Sequence, residues 1–171
     1  MGKESKSQLY QHGSKRGFSL IRYAGLYDLK AIIDDTKAHL RKLRYDIDDK
    51  QHDEKISSSG KEMKIVFRCF KEITEYVKFY MEVTIIVVGQ IDVIVDKRKV
   101  KKGNFDYRLM TRVEKNYSGS NRTPTFKKSK LGELQRHLYE KFIIKQELSD
   151  REDELLDQGQ ELLNMVRKHL L

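Results

Sequence analysis

Twelve Lys or Arg residues fall between positions 97 and 130, where Asp106 and Glu114 are the only acids, giving a local balance of +10. The bases most suited to chemistry are Lys97, Arg98, Lys99, Lys101 and Lys102, then Arg108 and Arg112, then Lys127, Lys128 and Lys130. A guanidinium fork donates two parallel hydrogen bonds to phosphate oxygens, and an ammonium supplies a compact point charge. Bases that converge in space therefore form a polyanion-binding surface. Arg108 and Arg112 are two strand repeats apart, so both are expected on one face of a strand, close to the Lys97–Lys102 tip. The same lysines also suit a solvated hairpin tip and edge that resists sheet-to-sheet pairing.

Other constellations are weaker. The five histidines, His12, His39, His52, His137 and His169, lack the spacing of a zinc site. His52 lies near Asp48, Asp49 and Asp53, but the segment does not follow the ligand order of a calcium loop. The single cysteine, Cys69, excludes an intramolecular disulfide and sits at an inward strand position, which reads as a buried thiol. There is no Gly-x-Ser-x-Gly, phosphate-binding glycine loop or dinucleotide fingerprint. No catalytic residue, cofactor or metal is assigned, and the residues favour a non-enzymatic protein. Phe67, Phe79, Phe105 and Tyr107 share the parity of the aliphatic row and read as core, whereas Phe70, Tyr76 and Tyr80 point outward without forming a base-stacking motif.

These residues need elements to position them. Residues 1–25 read as a basic N-terminal arm anchored by Phe18, Leu20 and Ile21, followed by one domain over 26–171. Leu26, Leu29, Ile33, Leu40 and Leu43 recur at helical spacing. Residues 45–56 suggest a short polar edge strand, and Ser57–Gly60 a turn. Residues 61–74 alternate with Met63, Ile65, Phe67 and Cys69 on one face. Residues 76–95 alternate more strongly, with a bend or bulge at Gly89. Residues 96–104 read as a turn, and a further strand carries Phe105, Tyr107, Leu109, Thr111 and Val113 inward. Ser118–Lys130 is a polar loop containing Pro124. A helix follows with Leu131, Leu134, Leu138 and Phe142, and a last helix starts near Ser149, which has capping-box spacing to Glu152. The expected fold is α+β: a helix, an antiparallel meander of three to four strands, then two C-terminal helices packed on one sheet face. Phe79, Val83, Ile85 and Leu109 are expected to pack on Leu29, Ile33, Leu138 and Phe142.

The chain of 171 residues has 35 Lys or Arg against 26 Asp or Glu, a formal net charge of +9, with 36% of its residues charged. Residues 147–161 reverse the sign, with seven acids against Arg151. No apolar run is long enough for a spanning helix and the first residues carry no apolar signal core, so a cytoplasmic setting is expected. Excess positive charge favours polyanionic partners. The leading expectation is a binding module for RNA or a ribosomal surface. The alternative is an adaptor that binds another protein or self-associates, its acidic last helix meeting a basic surface, and an acidic protein is a further candidate partner for the basic surface. A peripheral membrane protein using Lys97–Lys102, or a small-ligand carrier, ranks lower.

Two segments, Glu75-Tyr76-Val77-Lys78-Phe79-Tyr80-Met81-Glu82-Val83 and Leu138-Tyr139-Glu140-Lys141-Phe142-Ile143-Ile144-Lys145 before an acidic last helix, carry a further signal. Together they resemble a set of small archaeal proteins of unknown function, over roughly residues 25 to 171. The resemblance implies a cytoplasmic archaeal protein of one domain; it points to no particular activity and transfers no site residue.

Overall fold

Val77, Phe79, Met81, Val83, Ile85 and Val87 are all buried, and the residues between them are more polar. That period of two builds the central strand of an antiparallel sheet. The computed structural model describes residues 10–12, 16–74, 77–95, 98–115, 130–143 and 145–170. The elements are β1 (Tyr10–His12), β2 (Arg16–Tyr27), α1 (Leu29–Lys42), β3 (Asp46–Ser57), β4 (Gly60–Glu72), β5 (Val77–Val95), β6 (Arg98–Lys115), α2 (Lys130–Leu138) with a π-helical extension (Tyr139–Ile143), and α3 (Lys145–Arg167).

The sheet order is β1-β2-β6-β5-β4-β3, with five long strands and the three-residue β1, all neighbours antiparallel. Strands β3 to β6 form a meander. The first long strand, β2, instead returns beside the last, so α1 must carry the chain from one side of the sheet to the other. Rows of residues run straight across the inner face: Phe67, Val83, Leu109 and Ser19 in one, and Ile65, Ile85, Tyr107 and Ile21 in the next.

Helices α1 and α3 cover this face. Leu29, Ile32, Thr36 and Leu40 of α1 are buried, as are Leu148, Leu155, Leu162, Leu163 and Val166 of α3. Asp28 caps α1, its Oδ1 accepting the Ala31 N–H at 3.0 Å, and His39, Arg41 and Lys42 lie in the last turn where positive charge is favoured. The hydroxyls of Thr36 and Tyr107 lie 3.4 Å apart, and Tyr45 donates to Gln158 Oε1 at 2.7 Å. The Asp28 N–H donates to the His169 carbonyl, which ties the end of the chain to the start of α1.

The α+β class, the antiparallel sheet and the single apolar face agree with the expectation. The bulge at Gly89 is also present: its φ is 65°, and the pairing with β6 shifts between Val88 and Ile91. Several details differ. Residues 16–25, expected within a basic arm, are strand β2, paired along β6 from Arg16↔Arg112 to Tyr27↔Lys101. Their inner positions, Ser19 and Ile21, are buried, a short apolar signal that the neighbouring bases conceal. Leu26 belongs to β2, and α1 starts at Leu29. Arg98–Lys102 continue the β5–β6 hairpin as strand rather than turn. Ser149 lies inside α3, which begins four residues earlier. Phe79, Val83, Ile85, Leu109 and Leu29 are buried and Ile33 packs against them, but Leu138 and Phe142 are exposed. The first C-terminal helix therefore does not bury its stripe in the core. Pro124 and most of the Ser118–Lys130 loop lie outside the described residues.

Candidate polyanion interface

Away from the helices, the sheet presents a polar face. Its rows read Phe70, Tyr80, Arg112; then Arg68, Glu82, Met110, Phe18; then Val66, Thr84, Arg108, Leu20; then Lys64, Ile86, Asp106, Arg22. Arg108 and Arg112 thus share this face, as their spacing requires. Lys101 and Lys102 stand at its far end. Ten residues separate Lys102 from Arg112 along β6, roughly 33 Å at the rise of a strand. The tip and the arginine pair form two places, not one.

The arginines are already engaged. Arg112 lies 4.1 Å over the Tyr80 ring and pairs with Glu114, while Tyr80 packs on Phe70 with centroids 5.4 Å apart. The Lys78 ammonium sits 4.7 Å over Phe70. Arg108 reaches Asp106 at 3.3 Å, and Arg22 holds the same carboxylate with two bonds of 3.0 and 3.1 Å. Tyr80 and Arg68 both donate to Glu82 Oε2, at 2.7 and 2.8 Å. At the tip, Lys101 pairs with Asp92. Partial burial pushes the Glu82 and Asp106 carboxyls up, but the hydrogen bonds and nearby arginine charge outweigh it and hold both below the usual range. The Tyr80 hydroxyl is pushed up to about 12, first by burial and then by its bond to Glu82.

Of the remaining candidates, Lys97, Lys127 and Lys128 lie outside the described residues, as does Tyr76. For Arg98, Lys99 and Lys130 only the backbone is described. The acidic edge near His52 is also occupied: Asp49 accepts from Lys37 at 2.7 and 3.0 Å, and Asp48 pairs with Lys50. Cross-strand pairing of Arg68 with Glu82 and of Tyr80 with Arg112 was not legible before the register was known. A period-two reading places each residue on the face but does not say which one lies opposite.

Basic charge is concentrated in particular stretches of the sequence. Residues 1–17 contribute Lys3, Lys6, Lys15 and Arg16 against Glu4, and residues 115–130 contribute Lys115, Arg122, Lys127, Lys128 and Lys130 with no acid. Both stretches join the sheet at one end, because Arg16 pairs with Arg112 and Lys115 pairs with Val77. Tyr80, Phe70 and Arg112 lie at that same end.

On the helix-covered side, a cleft of about 190 Å³ opens between β2, β6 and α3, lined by Ser19, Leu109, Thr111, Leu156 and Gln160 among others. It is smaller than the roughly 300 Å³ at which small-molecule pockets begin. Among the described residues no three His, Cys, Asp or Glu side chains are grouped to hold a metal, and no helix is long and apolar enough to cross a membrane. Comparison with protein-family models, with curated proteins and with solved structures finds no match.

Proposed function

We propose that this chain is a non-catalytic binding module that docks a polyanion, single-stranded RNA in the first place, at the end of the sheet where β2 begins and β6 ends. The supporting observation is the charge distribution: positions 97–130 carry a balance of +10, and the basic stretches 1–17 and 115–130, worth +3 and +5, adjoin the sheet where Arg16 pairs with Arg112 and Lys115 with Val77. Clustered bases release counterions from a phosphate chain, and bases already held by carboxylates, as Arg108 and Arg112 are, gain less from a new anion. Arg108 and Arg112 therefore serve mainly to order the sheet face. Lys127, Lys128 and Lys130 carry more of the binding, with Lys97–Lys102 as a secondary contact.

The test is fluorescence anisotropy of a labelled single strand and a labelled duplex across a salt series. Binding should be sequence-independent and weaken steeply with salt. Changing Arg122, Lys127, Lys128 and Lys130 to Ser should lower the single-strand salt slope by up to about 2.8, four contacts at about 0.7 each. Changing Arg108 and Arg112 to Ser should alter affinity much less. No binding to either probe at low salt would refute the reading.

A second reading rests on α3. Glu147, Asp150, Asp153, Asp157 and Glu161 are all exposed and recur every three or four residues, forming an acidic stripe on the side away from the sheet. Such a stripe suits a basic protein surface. It is favoured if the nucleic-acid probes fail and the protein binds a cationic peptide through this helix.

A further inference from the structure

We infer that the cleft between β2, β6 and α3 is a binding site for a small aromatic amine, a single ring that carries a hydroxyl at its inner end and an ammonium at its outer end. The sheet contributes Ser19 and Thr111, which line the cleft and are only 9% and 5% exposed. Neither hydroxyl has a hydrogen-bond partner among the described residues, unlike the buried Thr36 hydroxyl, which meets Tyr107 at 3.4 Å. The rest of the inner face is almost entirely aliphatic or aromatic. A buried polar group without a partner is destabilising, and Ala or Val at these two positions would avoid that cost. Two such hydroxyls opening on one hollow are the mark of a site that a polar ligand completes.

The lining states the chemistry of the ligand. Leu109 and Leu156 give apolar walls, and the Thr111 methyl group faces α3 at Gly159, so the middle of the cleft takes an apolar body. At the outer part stands Asp157, exposed and without an ion-pair partner among the described residues. Its charge attracts an ammonium and repels an anion. The volume of about 190 Å³ is below that of a drug-sized pocket. It exceeds the roughly 150 Å³ of a protein cavity that holds benzene, so one ring with a short polar tail fits. The site lies on the helix-covered side of the sheet, opposite the face of Arg108 and Arg112, and does not depend on the polyanion reading.

Amide chemical-shift titration of the isotope-labelled full chain at neutral pH tests this with three probes. Tyramine carries both polar ends, phenethylamine lacks the hydroxyl, and hydroxyphenylpropionate replaces the ammonium with a carboxylate. Tyramine should saturate with a dissociation constant of about 1 mM or tighter, within reach of a ligand of this size. Its shifts should centre on Ser19, Leu109, Thr111 and Gly159. Phenethylamine and hydroxyphenylpropionate should each bind at least about tenfold more weakly, one leaving the hydroxyls unpaired and the other facing Asp157. Ser19→Ala with Thr111→Val should abolish the preference for tyramine over phenethylamine, without lowering the thermal midpoint, because no partner is lost. Asp157→Asn should abolish the preference for tyramine over hydroxyphenylpropionate. No shifts at about 10 mM tyramine, tenfold above the expected constant, would overturn the inference. So would shifts centred elsewhere, equal binding of the three probes by the wild type, or a hydroxyl preference that survives the Ser19→Ala, Thr111→Val change.

Discussion

Gly159 of α3 lies so close to Leu109 of β6 that a Cβ built at Gly159 would be 3.3 Å from Leu109 Cδ2, with Thr111 Cγ2 at 3.5 Å. This is where the helix crosses the sheet. A glycine inside a helix costs about 1 kcal/mol relative to alanine, and here it permits the close approach. Two effects oppose each other in Gly159→Ala: better helix propensity, and a neighbour forced to give by a few tenths of an ångström. The Leu109 methyl is the end of a side chain and can shift, so stability should change by less than about 1 kcal/mol. Gly159→Leu has no such escape. It should lower stability by about 1–3 kcal/mol through overpacking, read from urea denaturation midpoints.

What local periodicity encodes separates the strand that was legible from the strand and the helix packing that were not. Strand β5 was legible because nine same-parity residues, Val77 to Val95, are almost all aliphatic, and Gly89 breaks the row where the backbone breaks register. Strand β2 was not, because Ser19 and Ile21 are its main buried inner positions and Arg16 and Arg22 flank them. Its place beside β6 is a long-range pairing that no local period encodes. The stripe of α2 is a true helical period, but a period states only that a face will be covered and not by what. Leu138 and Phe142 were therefore assigned to the domain core. For the interface, the shared face of Arg108 and Arg112 was legible from spacing alone. Their carboxylate partners Asp106 and Glu114 stand two residues away in sequence, but a balance of charge over the block does not state which bases are paired.

Val83 occupies the centre of the inner face, fully buried between Phe67 of β4 and Leu109 of β6. Val83→Asp places a carboxylate there among apolar neighbours. Either the charge stays and costs several kcal/mol, or the group takes up a proton and still leaves polar atoms without partners. Total stability for a domain of this size is about 5–15 kcal/mol, so the variant should be largely unfolded at neutral pH. Loss of the cooperative thermal transition is the readout. Val83→Ala, which removes only methyl groups, should keep the transition at a lower midpoint.

Glu82 gives the sheet face a dependence on acid. Its carboxyl is held below the usual range by bonds from Tyr80 and Arg68, against the opposing effect of partial burial. Because the folded-state pKa is lowered, the unfolded chain binds the proton more readily, and stability falls as pH falls. The contribution is complete above the ordinary carboxylate range of about 4 and is lost as pH drops through the lowered folded-state value. Asp106, held by Arg22 and Arg108, acts with the same sign. Glu82→Gln should lower the thermal midpoint at pH 7 and flatten its decline below pH 4. An acid profile unchanged by Glu82→Gln would show that these bonds do not persist in solution.

Cys69 gives the opposite limb of the profile. The thiol is fully buried, and its pKa is pushed up to about 12 by burial first and by the Asp49 charge second, with Lys37 opposing. An unfolded thiol ionises near 8.5. Above that pH the unfolded chain holds fewer protons than the folded one, so stability must fall as pH rises, by up to about 1.4 kcal/mol per pH unit for one group. Tyr27 and Tyr80, both pushed up to about 12, add a further decline only above about pH 10, where unfolded tyrosine ionises. The interval from 8.5 to 10 therefore isolates the thiol. Cys69→Ala should remove the slope in that interval while leaving the decline above pH 10. In the same protein a disulfide reagent such as dithionitrobenzoate should be inert at pH 8 until denaturant is added, then react with one equivalent. Rapid labelling of the native chain would mean that β4 opens readily, and the alkaline slope would then be too shallow to distinguish from that of Cys69→Ala.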